Sequence, residues 1–164
     1  MKQAKKDSGF TQAELMVTLA IMIILIAVAV PSLQSSTHST KITTQVNTLA
    51  SFLMLARSEA IKRQNSVQVT SQSRDAGDEW GGGAQMTDTV TGDVIAQLDP
   101  FNSNITVDSD ADITTITFIS LGYASPAVGG NFNVCKTNSN DDGHQFIVPA
   151  TGKITLITRE LTCP

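Results

Sequence analysis

The chain is predicted to be an α+β protein, with a long N-terminal helix, membrane-spanning in its first half, packed on an antiparallel β-sheet head. Three observations carry that prediction. Phe10 to Leu33 is an apolar run in which Thr18 is the only polar side chain between Leu15 and Val30. Ile42, Val46, Leu49, Leu53, Ala56 and Ala60 then recur at alternating spacings of four and three, one stripe of an amphipathic helix. From Asn65 onward the period drops to two: Val67 and Val69, then Phe132 and Val134, alternate with polar residues, and Thr-Gly-Asp at 91–93 and Thr-Gly-Lys at 151–153 mark turns.

A helix that is apolar on every side is buried in protein or lipid. At 1.5 Å per residue the first run extends about 36 Å, enough for a hydrocarbon core of about 30 Å. Residues 1–9 carry Lys2, Lys5 and Lys6 against Asp7, so the positive-inside rule keeps that end cytoplasmic and sends the rest outward. A cleaved secretory signal fits less well, because Pro31-Ser32-Leu33-Gln34 is not a small-x-small cleavage site. Glu14 is the sharper clue. An ionisable group at the edge of a membrane segment is costly and is read as functional by default.

These residues carry a family resemblance. Gly9-Phe10-Thr11-Gln12-Ala13-Glu14-Leu15 resembles the prepilin cleavage motif of type IV pilins and type II secretion pseudopilins, with Gln12 and Ala13 departing from the usual residues. The resemblance implies that a membrane peptidase cuts between Gly9 and Phe10 and methylates the new N-terminal Phe10. It also implies that Glu14 sets the register of the helix bundle by pairing with the N-terminal amine of a neighbouring subunit. An amine and a carboxylate buried together are tolerable where either alone is not. Pro31 stands where pilins often have a helix-kinking proline. The expected organisation is a leader at 1–9, a transmembrane and assembly helix at 10–33, and a periplasmic head at 34–164, helical to about 64 and β-rich beyond.

Setting aside the leader leaves eight basic residues of eleven and fourteen acidic ones of fifteen, a charge near −6. That is a poor start for a nucleic-acid binder, whose footprint is basic. The two cysteines, Cys135 and Cys163, both follow the apolar helix and so lie in a compartment that permits oxidation. With only two, the pairing of a bridge is not ambiguous. Their spacing fits neither a CxxC redox motif nor a zinc site.

Within the head, strands are expected near 66–71, 84–90, 93–98, 114–119, 131–136, 144–149 and 153–158, with Gly-rich loops at 74–83 and 121–130. Four motifs along it resemble the GspH/FimT-type minor pilins: Leu55 to Arg63, Trp80-Gly81-Gly82-Gly83, Phe118 to Gly122, and Thr151-Gly152-Lys153-Ile154. Their order and spacing make the case more than any one of them.

Arg57, Lys62 and Arg63 form a basic cluster best read as a solvated helix face. Some proteins of the resembled group bind DNA through arginines following a tail Gly. Here Lys153 follows Gly152, and Arg159 lies further on. Lysine lacks the bidentate fork of arginine, so Lys153 and Arg159 are candidate DNA contacts for a role that is not favoured. Asn138 to Gly143 has the first half of a calcium-loop pattern but has Pro149 where the closing Glu belongs, and Asp108, Asp110 and Asp112 alternate without the Gly. Both read as polar turns, with no metal site. His38 and His144 are too few for a catalytic cluster, so no enzyme, catalytic residue or cofactor is expected. The expected function is a minor pilin that helps initiate or cap a type IV pilus, with other minor and major pilins, the inner membrane and prepilin peptidase as partners. Two alternatives stand beside it, a DNA-binding minor pilin for DNA uptake and a minor pseudopilin of type II secretion.

Overall fold

The computed structural model describes residues 11–73, 75, 77–110, 112–125, 130–137 and 142–163, the side chains of 28–39, 142 and 158–162 excepted. A helix, α1 (Gln12–Arg63), precedes β1 (Val67–Ser71), β2 (Ala84–Asp88), β3 (Val94–Leu98), β4 (Ile105–Ser109), β5 (Thr115–Phe118), β6 (Ala124–Ser125), β7 (Gly130–Lys136), β8 (Asp142–Val148) and β9 (Thr155–Thr162). The chain divides between Ser39 and Thr40 into two units, and α1 contributes to both.

In the first unit every described side chain from Thr11 to Ala27 is exposed. Leu15, Met16, Val17, Leu19 and the run Ile21 to Ile26 each keep between 49% and 67% of their surface. Thr18, the one hydroxyl in the run, donates to the Leu15 carbonyl at 2.9 Å, so it adds no unpaired polar group to the apolar surface. Among the described residues no helix is long and apolar enough to cross a membrane. The described side chains of the run stop at Ala27, and Phe10 and the side chains of 28–33, including Pro31, lie outside them.

The second unit is a helix on antiparallel strands. The stripe read from the sequence is the buried face: Ile42, Val46, Leu49, Leu53, Ala56 and Ala60 join one core with residues of the strands. Thr44 and Thr48 donate their hydroxyls to the carbonyls one turn back (2.8 Å each), so both hydroxyls are paired within the helix. The helix ends where Gln64 takes a positive φ of 57°, a left-handed C-terminal turn.

Among the described residues there are two sheets, where the sequence suggested one. The first has the order β3-β2-β1-β5-β6 and the second β4-β7-β8-β9, with antiparallel pairing throughout. The seven expected strands are present with boundaries moved by up to four residues. Two were missed. The segment that forms β4 alternates Ile105, Val107 and Ser109 inward, but its acidic neighbours read as a turn. With two residues, β6 is too short to show a period.

Between the sheets Trp80 is fully buried, with its ring edge-on to Phe132 (5.5 Å, 81°), which stacks on Phe146 (4.7 Å, 6°). The indole Nε1 donates to the Ile113 carbonyl at 2.7 Å, which satisfies the one polar atom that the ring brings inside. Arg57 ties the helix to two turns. Its Nε donates to the Gly122 carbonyl at 2.9 Å, and Gly152, at φ 69°, packs so closely that a Cβ there would strike that same carbonyl. Cys135 at the end of β7 is bonded to Cys163 just beyond β9. The bridge crosses β8 at Gly143, where a side chain would run into both sulfurs.

Two tests of stability follow from these contacts. Gly152→Ala should destabilise the head by more than the 1–2 kcal/mol of a left-handed alanine alone, because the methyl also meets backbone; a smaller shift in denaturant midpoint would show that the turn can relax. Replacing Cys135 and Cys163 together by alanine should cost about 3–4 kcal/mol for a loop of this length on the chain-entropy model, measured by denaturant unfolding of non-reduced protein. A loss under about 1 kcal/mol would mean that the ladder alone holds β9.

Candidate functional site

The N-terminal candidate starts from Thr11 and Glu14. Glu14 Oε2 accepts from the Thr11 amide and from Thr11 Oγ1, both at 2.9 Å, while Thr11 Oγ1 accepts from the Glu14 amide at 3.3 Å. This is the reciprocal capping box of a T-x-x-E start. The pattern stands openly in the sequence and was missed there, because Glu14 was read only as an assembly residue. Both Thr11 donors fall on Oε2. Gly9 and Phe10, the expected processing site, lie outside the described residues.

The basic candidates in the head are not gathered into one patch. Arg57 is held by Gly122, as described. Lys62 and Arg63 share Glu59 at 3.3 and 2.7 Å, and Arg63 also reaches Asp88 at 3.9 Å. The Arg63 bond draws the Glu59 carboxyl below its ordinary value, and Glu59 in turn raises the guanidinium. Lys153 is exposed after the Gly152 turn, and the side chain of Arg159 lies outside the described residues, as do Asn138 to Asp141 of the calcium-like stretch. Among the described residues no group of three His, Cys, Asp or Glu is placed to hold a metal ion. His144 Nε2 lies 3.3 Å from Thr43 Oγ1, which joins β8 to α1.

A site not foreseen lies at the edge of the second sheet. The loop before β2 turns back so that Asp78, Glu79 and Trp80 meet β4, the outermost strand of its sheet. Asp78 Oδ1 accepts from the Val107 amide at 2.7 Å, the Trp80 amide donates to the Val107 carbonyl at 3.0 Å, and Glu79 Oε2 accepts from the Ser109 amide at 3.4 Å. These are edge groups of β4, which would otherwise be open to another strand. Glu79 Oε1 accepts from the Gly77 amide at 3.1 Å. The Glu79 and Asp108 carboxyls perturb one another. Burial, then Glu79 itself, pushes the Asp108 carboxyl up to about 6. Burial acts on Glu79 as well, but Asp108 and the backbone amides hold it below its ordinary value. Asp110 is gripped by two side-chain amides, Asn131 Nδ2 at 2.7 Å and Asn133 Nδ2 at 2.5 Å. Only the acidic pair before Trp80 hinted at this in the sequence.

Comparison with known proteins agrees with this architecture. The chain is similar in fold to the type IV minor pilin FimU of Pseudomonas aeruginosa, at 22% identity over 74% of this chain and 91% of that one, with a TM-score of 0.63. It is also similar to the minor pseudopilin EpsH from the type 2 secretion system of Vibrio cholerae, at 12% identity over 71% of this chain and 96% of that one, with a TM-score of 0.55. No curated protein sequence matches. The family model described as "Type II transport protein GspH" matches residues 45–152, from the buried face of α1 through the Gly152 turn. The protein therefore belongs to the GspH family of pilins and pseudopilins.

Proposed function

We propose that this chain is a minor pilin that helps to initiate or cap a type IV pilus, assembled by helix bundling and by contacts of its head with other minor pilins. The observation that carries this reading is the first part of α1, apolar from Leu15 to Ala27 with each described side chain exposed. Left in water, such a surface would be costly at about 25 cal/mol per Å², so it belongs against lipid or neighbouring helices. Residues 10–33 span the inner membrane in this reading, with the head in the periplasm, and prepilin peptidase cuts between Gly9 and Phe10 and methylates Phe10. Extraction into a filament then exchanges lipid for other subunits. The cap on α1 supports the role given to Glu14: Thr11 orients the carboxylate through Oε2, and Oε1 meets the amine of a neighbouring subunit. Two opposite charges buried together offset a desolvation cost that neither bears alone.

A second reading, a minor pseudopilin of type II secretion, is favoured by the description of the matching family. Tagging the protein and identifying the subunits that co-purify separates the two. DNA uptake is not favoured. Arg57, Lys62 and Arg63 are engaged by Gly122, Glu59 and Asp88, and the chain carries a net negative charge. The candidate tail offers only Lys153 and Arg159, too few charges for a phosphate-driven footprint.

Mass spectrometry of the membrane-extracted protein should find a methylated Phe10 at the N-terminus. An intact Met1, or a terminus after Ala27 or Ala29, would remove the main support for the pilin reading. Glu14→Ala should leave recovery in the membrane fraction unchanged and lower incorporation beside other subunits. Incorporation at the level of the unaltered chain would show that Glu14 does not set the register.

A further inference from the structure

Of the two arginines whose side chains are described, Arg63 lies against Glu59 and Asp88, whereas Arg57 has no carboxylate within ion-pair distance among the described residues. Its Nε donates to the Gly122 carbonyl, which holds the half-buried guanidinium in place and leaves both terminal nitrogens without a hydrogen-bond partner among those residues. The setting is apolar. Met54, Arg57 and Ile61 stand at i, i+3 and i+7 on one flank of α1. A Cβ at Gly122 would meet Ile61 Cδ1 at 2.9 Å and Arg57 Nε at 3.1 Å, so the β5–β6 turn lies on that flank. Leu121 and Tyr123, on either side of this glycine, keep 73% and 52% of their surface, and Met54 and Ile61 keep 47% and 48%. Gly152 brings the next turn to the same place, and the exposed Lys153 follows it.

We propose that this flank is the surface by which the head holds another pilin subunit, and that the segment it takes carries a carboxylate between apolar side chains. The inference rests on the minor-pilin reading and adds to it the face and the chemistry of the contact. Charge complementarity selects the occupant. A guanidinium fixed through Nε presents its terminal nitrogens as a preformed fork for the two oxygens of a carboxylate. A partner acid would also offset a charge that folding has half withdrawn from water. Around the fork stand Tyr123, Met54, Leu121 and Ile61, which have apolar area to cover and no negative charge to repel that acid. Arg, Tyr and Met are the side chains enriched at protein interfaces, and binding energy concentrates where such anchors lie inside an apolar surround. Away from this flank the charges of Lys62 and Arg63 are already met by Glu59. Duplex DNA gains little here: phosphate affinity grows with the number of cations neutralised, and the flank offers Arg57 and Lys153 within a surface that is otherwise apolar.

The test uses the full chain in cells, with the photo-crosslinker p-benzoylphenylalanine in place of Tyr123. Irradiation should join it to another pilin-type subunit, at a peptide that mass spectrometry shows to carry Asp or Glu beside apolar residues. Arg57→Gln keeps a donor for the Gly122 carbonyl but has neither fork nor charge, and should lower the yield of that adduct about tenfold. Changing the mapped acid of the partner to its amide should do the same, and the two changes together should cost no more than either alone. Leu121→Asp alters an exposed side chain and sets a like charge before the partner's acid, so it too should suppress the adduct. It decides the matter should Arg57→Gln fail to fold by circular dichroism. Co-purification with other subunits without an adduct from position 123, or with an adduct that neither variant lowers, overturns the surface while the minor-pilin reading stands. An adduct to residues 126–129 of the same chain, to a second copy, or to nucleic acid overturns it as well, since each would put a different occupant on the flank. Failure to co-purify with any pilin-type subunit removes the reading, and the proposal with it.

Discussion

The head depends on one face of one helix. Leu49, Leu53, Ala56 and Ala60 have no exposed surface, and the core they join includes strands of both sheets. Two of the four are alanines, which let strands come close to the helix axis, while the leucines fill the space between. Truncating a buried leucine of this kind typically costs 2–5 kcal/mol, a large part of the net stability of a domain this size. The helix is therefore not an appendage to a β structure. Without it much of the core that the strands share would be left uncovered.

Around that face, charge is used for positioning more than for recognition. Arg57 spends its Nε on a carbonyl in the β5–β6 turn, at the point where the Gly152 turn also approaches, so one side chain keeps helix and both turns in register. Arg63 faces Glu59 on its own helix and Asp88 beneath it, and Asp88 in turn caps the β2–β3 hairpin through the amides of Val90 and Thr91. These contacts explain how an acidic chain can carry a local run of basic residues without presenting a basic surface. A patch that binds phosphate has to leave its cations unpaired, whereas Arg57 is tied to a carbonyl, and Lys62 and Arg63, though exposed, are paired with Glu59.

Much of this could be read from the residues alone, for definite reasons. The stripe from Ile42 to Ala60 was legible because a helix that packs on one side must repeat its apolar residues every three or four positions. The hairpin turn at Gly92 and the turn at Gly152 were legible because both glycines have positive φ, which few other residues adopt. Less was legible where one residue type serves two purposes. Asp108 and Asp110 looked like turn residues, yet Asp108 lies within β4, whose edge is met by Asp78 and Glu79 from a loop whose path no local pattern reveals. Glu14 was singled out for its cost in lipid, while its bond to Thr11 was overlooked, although the three-residue spacing states it. The division of the strands into two sheets follows from contacts distant in sequence and has no local signature.

The bridge between Cys135 and Cys163 joins the ends of strands that are not neighbours, since β8 lies between β7 and β9. The middle strand lies within the covalent loop that the bridge closes, so β9 stays tethered to the end of β7 across β8 while the bridge is intact. Opening of β8 and of β9 is thereby coupled. In amide exchange this part of the head should behave as a single cooperative block, with β8 exchanging by the same event that releases its flanks. The outermost strand β9 is thus tied covalently to the interior strand β7.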